Sequence, residues 1–145
     1  MELRRLKPSD IEAVTAFAIE GMRPDLYPGH LDTNKVRTTV RHFCHSASDW
    51  HLTAFDGERV VGICAVQVSE QPWFERQQAT VVALYAVVPG IGRRLVRELM
   101  AWYGEQPMLR RLHWPLEYDA RPSMLRLAGM LGFNSSNVVL SHYKV

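Results

Sequence analysis

Apolar residues recur along this chain at two different spacings, and the change between them separates predicted helices from predicted strands. Residues 11–22 and 36–43 carry apolar side chains at helical spacing, whereas 50–55 and 59–68 follow the pattern of strands around an Asp-Gly turn. The predicted helices are 9–21, 32–45, 91–103 and 122–131. The predicted strands are 3–6, 50–55, 59–68, 79–88, 111–118 and 138–143. This order predicts an α/β fold with a mixed sheet between helices, in three αβα layers.

The helix at 91–103 lies between two apolar strands, 79–88 and 111–118. A strand, a helix and a second strand in one sheet usually form a right-handed crossover between parallel strands. We therefore expect these two strands to be parallel. We also expect them to diverge at their carboxyl ends and to leave a cleft there.

The passage that carries most chemistry joins the apolar run 80–88 to the following helix through Pro89-Gly90-Ile91-Gly92. Glycine permits a sharp turn and a close approach of ligand to backbone, and the first N–H groups of a helix lack internal partners. Arg93 and Arg94 add positive charge, so the passage favours a phosphate or pyrophosphate site, with a purely structural turn as the alternative. It is neither a dinucleotide fingerprint, because Leu95 replaces the third glycine, nor a P-loop, because no Gly-Lys-Ser/Thr follows.

Length, composition and charge limit the domain number and the kinds of partner that this protein can have. With 145 residues, of which 47% are hydrophobic, residues 1–145 are predicted to form a single domain. A net charge of +2 with dispersed arginines argues against nucleic acid as a partner. Cys44 and Cys64 have no metal-ligand spacing, so we expect reduced core thiols, no metal and a cytoplasmic location. No stretch has the length of a signal peptide or a membrane span, and we expect no membrane partner.

Two segments have a recognisable form: Leu84 to Leu95 is a strand, glycine loop and helix, and Arg121 to Phe133 is a helix that ends in Gly-Phe. In these segments and in its order of elements the chain resembles the GNAT superfamily of N-acetyltransferases. The resemblance implies transfer of an acetyl group from acetyl-coenzyme A, the cosubstrate, to a primary amine by direct attack. It also implies that coenzyme A (CoA) contacts Ala86, Val87, Val88, Gly90, Ile91, Gly92, Arg93, Arg94 and Arg121.

The chain departs from the family at several positions that usually matter for binding or catalysis. Many members carry a glutamate base on the strand that corresponds to 79–88, but this strand contains no Asp, Glu or His. Ala128 stands where many members have a tyrosine acid, and Val87 stands where the loop usually begins with Gln or Arg. We therefore expect any catalytic base to lie outside the strand at 79–88.

Three side chains are the first catalytic candidates, and Glu70, Glu75, Glu117 and Asp119 are further candidate bases. His113 could accept the proton of the amine directly or through one water, and Tyr85 or Tyr118 could protonate the leaving thiolate. Backbone N–H groups around residues 85–87 could stabilise the oxyanion. Without a tuned base, activity should climb with pH towards the pKa of the amine, whereas a plateau set near about pH 6–7 would indicate a base such as His113.

The sequence indicates the residues that bind the acceptor amine less clearly than those that bind the cosubstrate. In the family it binds near loops that correspond here to 23–30 and 71–78. Aromatic and basic side chains of these loops could form its wall and recognise an acidic group: Arg23, Tyr27, His30, Trp73, Phe74 and Arg76. Ordinary loop side chains closing over the core are the alternative. A small molecule or a peptide would supply the amine.

A second function stays open at this point. A GNAT-like domain that has lost catalysis could serve as a binding or structural module, and a homodimer is compatible with either function. The glycine loop distinguishes the two. An open loop at 89–92 favours the enzyme, whereas a loop filled by its own side chains favours the scaffold.

Overall fold

A computed structural model of the chain describes residues 1–22, 31–73, 75–115 and 122–134. The strands are β1 (Glu2–Arg4), β2 (Trp50–Asp56), β3 (Arg59–Glu70), β4 (Gln77–Ala86) and β5 (Leu109–His113). The helices are α1 (Ile11–Gly21), α2 (Thr33–His45), α3 (Ile91–Gly104) and α4 (Pro122–Met130). Contacts divide the described residues into two compact units, one of residues 1–22 and 31–115 and one that contains 122–134.

Some predictions fall outside these ranges or stay open. The predicted strand at 138–143 lies outside the described residues. That residues 1–145 form a single domain stays a prediction. No helix in the described ranges has the length and apolar character needed to cross a membrane.

The first unit is built on a sheet whose described strands follow the order β1-β2-β3-β4-β5. Neighbours from β1 to β4 are antiparallel, and β4 and β5 are parallel, as predicted for strands joined by α3. In the described residues β5 covers Leu109–His113, so it begins two residues before the predicted strand at 111–118, of which 116–118 lie outside the described residues. Leu109 is buried and pairs with Gln77, so the strand begins before its two arginines. Pro115 has no N–H and cannot extend the ladder.

Helices lie on both faces of this sheet. α3 packs on one face through a buried cluster of Val61, Cys64, Val66, Ile91, Leu95 and Leu99 with other strand residues. α1 and α2 pack on the opposite face through Val14, Phe17, Val36, Val40, Phe55 and Ile63. Successive residues of a strand point to opposite faces, and Ile63 and Cys64 accordingly belong to different clusters. The predicted mixed α/β fold with helices on both faces is confirmed.

A buried histidine connects the start of the chain to the face that α1 and α2 cover. His51 is 3% exposed, and its Nε2 accepts a hydrogen bond from the Leu6 N–H at 3.0 Å. Nδ1 therefore carries the proton of the neutral ring, and it has no partner within the described part of the chain. Burial, and to a smaller extent the charge of Arg5, lowers the pKa of His51 to about 4.

Acid is expected to destabilise the protein through this residue. The unfolded chain has the ordinary imidazole pKa of 6.5, so between pH 6.5 and about 4 the unfolded state binds a proton that the folded state excludes. The contribution of His51 is thus complete above pH 6.5 and lost as the pH falls. At 1.36 kcal/mol per pKa unit, the free energy of unfolding should drop by about 3 kcal/mol from this group.

Urea unfolding at pH 7 and pH 4 measures the effect. In His51→Gln the amide oxygen can still accept the Leu6 hydrogen bond, but the side chain no longer titrates, so the difference between the two pH values should shrink by about 3 kcal/mol. His45→Gln, at an exposed position of α2, serves as the matched control and should behave as wild type. An unchanged pH difference in His51→Gln would contradict the prediction.

Candidate functional site

The loop between β4 and α3 has the backbone conformation that the glycine pattern predicted. Gly90 precedes the helix with φ 85° and ψ −19°, in the left-handed region that favours glycine. Ile91 N–H donates to the Val88 carbonyl at 3.2 Å, and Arg94 N–H donates to the Gly90 carbonyl at 3.1 Å. Between them, the N–H groups of Gly92 and Arg93 have no acceptor among the described residues. Two free donors at the positive end of a helix are an arrangement that suits an anion.

This loop is open rather than filled by its own side chains. A Cβ added to Gly90 would meet no described atom within 4 Å, and one added to Gly92 would only touch the Ala86 Cβ at 3.9 Å. Arg93 and Arg94 are exposed beside it. The residues from Ala86 to Arg94 that the resemblance assigned to CoA, which exclude Pro89, follow one another from the end of β4 into the first turn of α3. Arg121, the remaining predicted contact, lies outside the described residues.

Close packing holds the first turn of α3 against the sheet. A Cβ on Gly62 of β3 would lie 2.7 Å from Ile91 Cγ2 and 3.1 Å from Leu95 Cδ1. Such distances leave no room for a side chain, so the glycine lets the helix approach the strand. The open loop is thus fixed by the buried core rather than by contacts of its own.

β4 and β5 stop pairing halfway along β4. The last paired residues are Thr80 and His113, and β4 continues to Ala86 without a β5 partner in the part of the chain that the structure describes. Val82 is an extra residue in the ladder with β3, because Val81 pairs with Val66 and Ala83 pairs with Ala65. Among the described residues a bulge and an unpaired strand edge therefore coincide, an arrangement that is often found next to binding sites.

One predicted backbone donor is excluded. The Val87 N–H donates to the Val61 carbonyl at 3.0 Å, so it is not free to stabilise an oxyanion. The bulge at Val82 was not predicted, because the apolar run of residues 80–88 shows no break in its pattern. Only the pairing register between β3 and β4 reveals this bulge.

His113 and Tyr85 lie on the same face of the sheet but not together. Leu112 and Trp114 pack with the α3 cluster, so His113 points to the face that α1 and α2 cover, where Tyr85 also packs. His113 is level with Thr80, five residues before Tyr85, which corresponds to about 15 Å along a strand. The two side chains cannot both touch the same reacting atoms, so their predicted roles are alternatives.

The surroundings of these two candidates differ. The Nε2 of His113 is buried without a hydrogen-bond partner in the described part. Burial, and then the charge of Arg111, lowers the pKa of His113. The half-buried ring of Tyr85 packs against Phe17 with ring centroids 5.0 Å apart and covers Gly21. Tyr118 lies outside the described residues, and so do Arg23, Tyr27, His30 and Phe74 of the predicted acceptor wall.

The remaining members of that predicted wall are far from the glycine loop. Trp73, which is 85% exposed, and Arg76 precede β4, whereas Gly90 follows it. The ten residues of β4 separate the two ends by about 30 Å. If Trp73 and Arg76 contact an acceptor, they contact the part of it that is remote from the loop.

A group of polar side chains spans three strands between these two ends. In the register of the sheet, Gln67, Thr80 and His113 form one row, and Ser69, Gln78 and Arg111 form the next. We call these six residues the polar strip. Their strand neighbours Val66, Val68, Ala79, Val81 and Leu112 belong to the α3 cluster. The polar strip therefore faces the side of α1 and α2, beside the point where β4 and β5 separate.

No family model and no curated protein matches this sequence. Solved structures match its fold. A possible acetyltransferase from Clostridium difficile 630 is 12% identical over 99% of this chain and 97% of that chain, with a TM-score of 0.75. A transcriptional regulator from Bacillus halodurans C-125 is 17% identical over 99% of each chain, with a TM-score of 0.76. The aminoglycoside N-acetyltransferase AAC(6')-Iy in complex with CoA is 13% identical over 99% of this chain and 93% of that chain, with a TM-score of 0.70.

At these identities the likeness concerns the fold. The chain has the fold of GNAT acetyltransferases, as the two segments around residues 84–95 and 121–133 predicted. A fold does not by itself determine an activity.

Proposed function

We propose that this protein is an acyl-CoA-dependent N-acyltransferase that moves an acetyl group from acetyl-CoA to a primary amine. The observation that carries the proposal is the open loop at the end of β4, where Gly92 and Arg93 offer free N–H groups. A loop filled by side chains would have favoured a scaffold instead. The fold shared with an aminoglycoside N-acetyltransferase that binds CoA supports the same function.

The residues present fit a bound diphosphate. The free N–H groups of Gly92 and Arg93 would donate to its oxygens, and the Arg93 and Arg94 guanidinium groups would add charge. Acetyl-CoA would supply the acetyl group as a thioester. The backbone of β4 between Val82 and Ala86, which lacks a β5 partner in the described residues, would hold the arm that leads to this thioester.

We propose His113 as the residue that takes the proton of the acceptor amine. It lies at the last paired row of β4 and β5, and its buried Nε2 has no partner among the described residues. With its pKa lowered by burial, the imidazole is neutral at pH 7 and can accept a proton. β4 itself carries no acidic residue and no histidine, so a side-chain base would come from another element, and His113 lies on the neighbouring strand.

The first experiment is a thermal-shift titration with acetyl-CoA, followed by an acetyl-transfer assay with a panel of primary amines. A ligand at one hundred times its Kd stabilises the folded state by about 2.7 kcal/mol, which is well within the range of the measurement. Stabilisation together with turnover supports the proposal. Stabilisation without turnover of any amine would indicate the inactive binding module, and the absence of both would overturn the assignment of the loop to CoA.

A further inference from the structure

We propose that a second anion site lies at the amino-terminal end of β4, where it binds a carboxylate or phosphate group of the acceptor. Gln71, Arg76, Arg110 and Arg111 line a hollow of about 350 Å³ there. The inference rests on the proposed function for the identity of the acceptor. It therefore specifies the acceptor class as an amine that carries a negative charge.

The charges of the hollow point to an anion. Arg76 and Arg110 have no carboxylate or hydrogen-bond partner for their guanidinium groups within the described ranges, whereas Arg4 binds Asp10 at 2.8 Å and Arg37 binds Glu12 at 2.8 Å. None of the described residues that line the hollow is acidic. Two guanidinium groups on one open surface present the planar, paired donors that bind carboxylates and phosphates.

The backbone that carries these arginines is held in place. Gln71 N–H donates to the Arg76 backbone carbonyl at 3.0 Å, and Gln71 Nε2 donates to the side-chain oxygen Oε1 of Gln78. The Gln77 N–H donates to Met108 at 3.1 Å, which connects the loop before β4 to the chain before β5. The site would therefore bind an anion without reordering its backbone.

A second bulge brings Arg110 to the hollow. Leu109 pairs with Gln77 and Arg111 pairs with Gln78, so Arg110 is the extra residue of β5. Bulges redirect side chains at the edges of sheets. A regular strand would have placed the side chains of Arg110 and Arg111 on opposite faces.

The polar strip connects this hollow to His113. Gln78 in the second row accepts a hydrogen bond from Gln71 at the edge of the hollow. Thr80 and His113 belong to the first row. Two residues of strand correspond to about 7 Å. An acceptor could place its amine at His113 and an anionic group in the hollow if roughly 7–10 Å separate the two groups. A polycation such as an aminoglycoside would meet repulsion from Arg76 and Arg110 at the same place.

The test has one arm that needs no catalysis. Glutarate and, separately, inorganic phosphate are titrated into the protein while backbone amide and guanidinium signals are followed by NMR. Saturable shifts should appear at Gln71, Gln78 and Arg110, distinct from shifts at Gly92. The double variant Arg76→Gln/Arg110→Gln should weaken glutarate or phosphate binding at least about tenfold, since charge-assisted hydrogen bonds are lost. Arg59→Gln, at the exposed start of β3, is the matched control.

The second arm compares three amines of equal length: 6-aminohexanoate, 6-aminohexanamide and hexane-1,6-diamine. Their kcat/KM values should fall in this order by about tenfold per step, and the double variant should make them nearly equal. Equal kcat/KM values for the three amines in the wild-type protein, or a preference for the diamine, would overturn the proposed acceptor class. The proposed acyltransferase activity would still hold. Anion binding at the hollow without acetylation of any amine would overturn the proposed function and leave the anion site. The absence of saturable binding at the hollow would overturn the site itself.

Discussion

Replacing Gly92 by aspartate is expected to abolish CoA binding and leave the fold intact. The carboxylate would stand against the free N–H groups of Gly92 and Arg93, where the diphosphate of CoA is proposed to bind. A like charge beside a bound anion costs several kcal/mol, which corresponds to a loss of affinity of more than about 100-fold. An acidic residue in the first turn stabilises a helix, so we expect α3 to stay folded in this variant.

Two control variants test whether a loss of CoA binding comes from the negative charge at position 92. One adds volume there without charge, and the other places an aspartate elsewhere on α3. Gly92→Ala adds only a Cβ at 3.9 Å from Ala86, which is ordinary contact, and should bind CoA nearly as wild type does. Gly104→Asp makes the same change at the other end of α3, where no described atom lies within 4 Å, and should leave binding unchanged. Isothermal titration with CoA measures the affinities, and circular dichroism checks the fold. Wild-type affinity in Gly92→Asp would remove the loop from the binding site.

His113→Gln is expected to lower kcat by about 10²–10⁴-fold at pH 7, the range that a positioned base contributes. The wild-type kcat/KM should reach a plateau by neutral pH and fall in acid, because protonated His113 cannot accept the amine proton. Its pKa is lowered, so the fall should lie below the ordinary imidazole value of 6.5. The sequence alone favoured a rate that climbs with pH. The buried Nε2 of His113, which has no partner in the described ranges and lies level with Thr80, changes that expectation.

The shape of the pH profile distinguishes this role from a structural one. In His113→Gln the plateau should disappear, and the remaining activity should climb with pH towards the pKa of the acceptor amine. A residue that only supports the fold would lower the activity at every pH without changing the profile. His45→Gln, on the exposed side of α2, is the matched control and should keep the plateau. A wild-type rate that climbs through neutral pH would assign deprotonation to solvent.

Features that depend on neighbours in the chain could be predicted. Val36, Val40 and Phe43 repeat at helical spacing and are buried on one side of α2, which Asp32 caps by accepting from Asn34 N–H at 2.9 Å. The turn at Gly90 was also predicted, because a left-handed residue before a helix requires glycine for local reasons. In these elements the energetically decisive contacts lie within a few residues along the chain.

Features that depend on the pairing of distant segments could not be predicted. β5 begins at Leu109 because that residue reaches the core, although the predicted strand began only at residue 111. The bulges at Val82 and Arg110 exist only as a mismatch between two strands.

By itself the sequence determined the order of the described helices and main strands, the glycine turn and the absence of an acid on β4, since each is a property of consecutive residues. Only the tertiary structure placed Gln67, Thr80 and His113 in one row and brought Arg76 to Arg110. Strand register is set by side chains that pack across the sheet and by the bulges that shift it. These residues are far apart in the chain, so no local pattern could show that they meet.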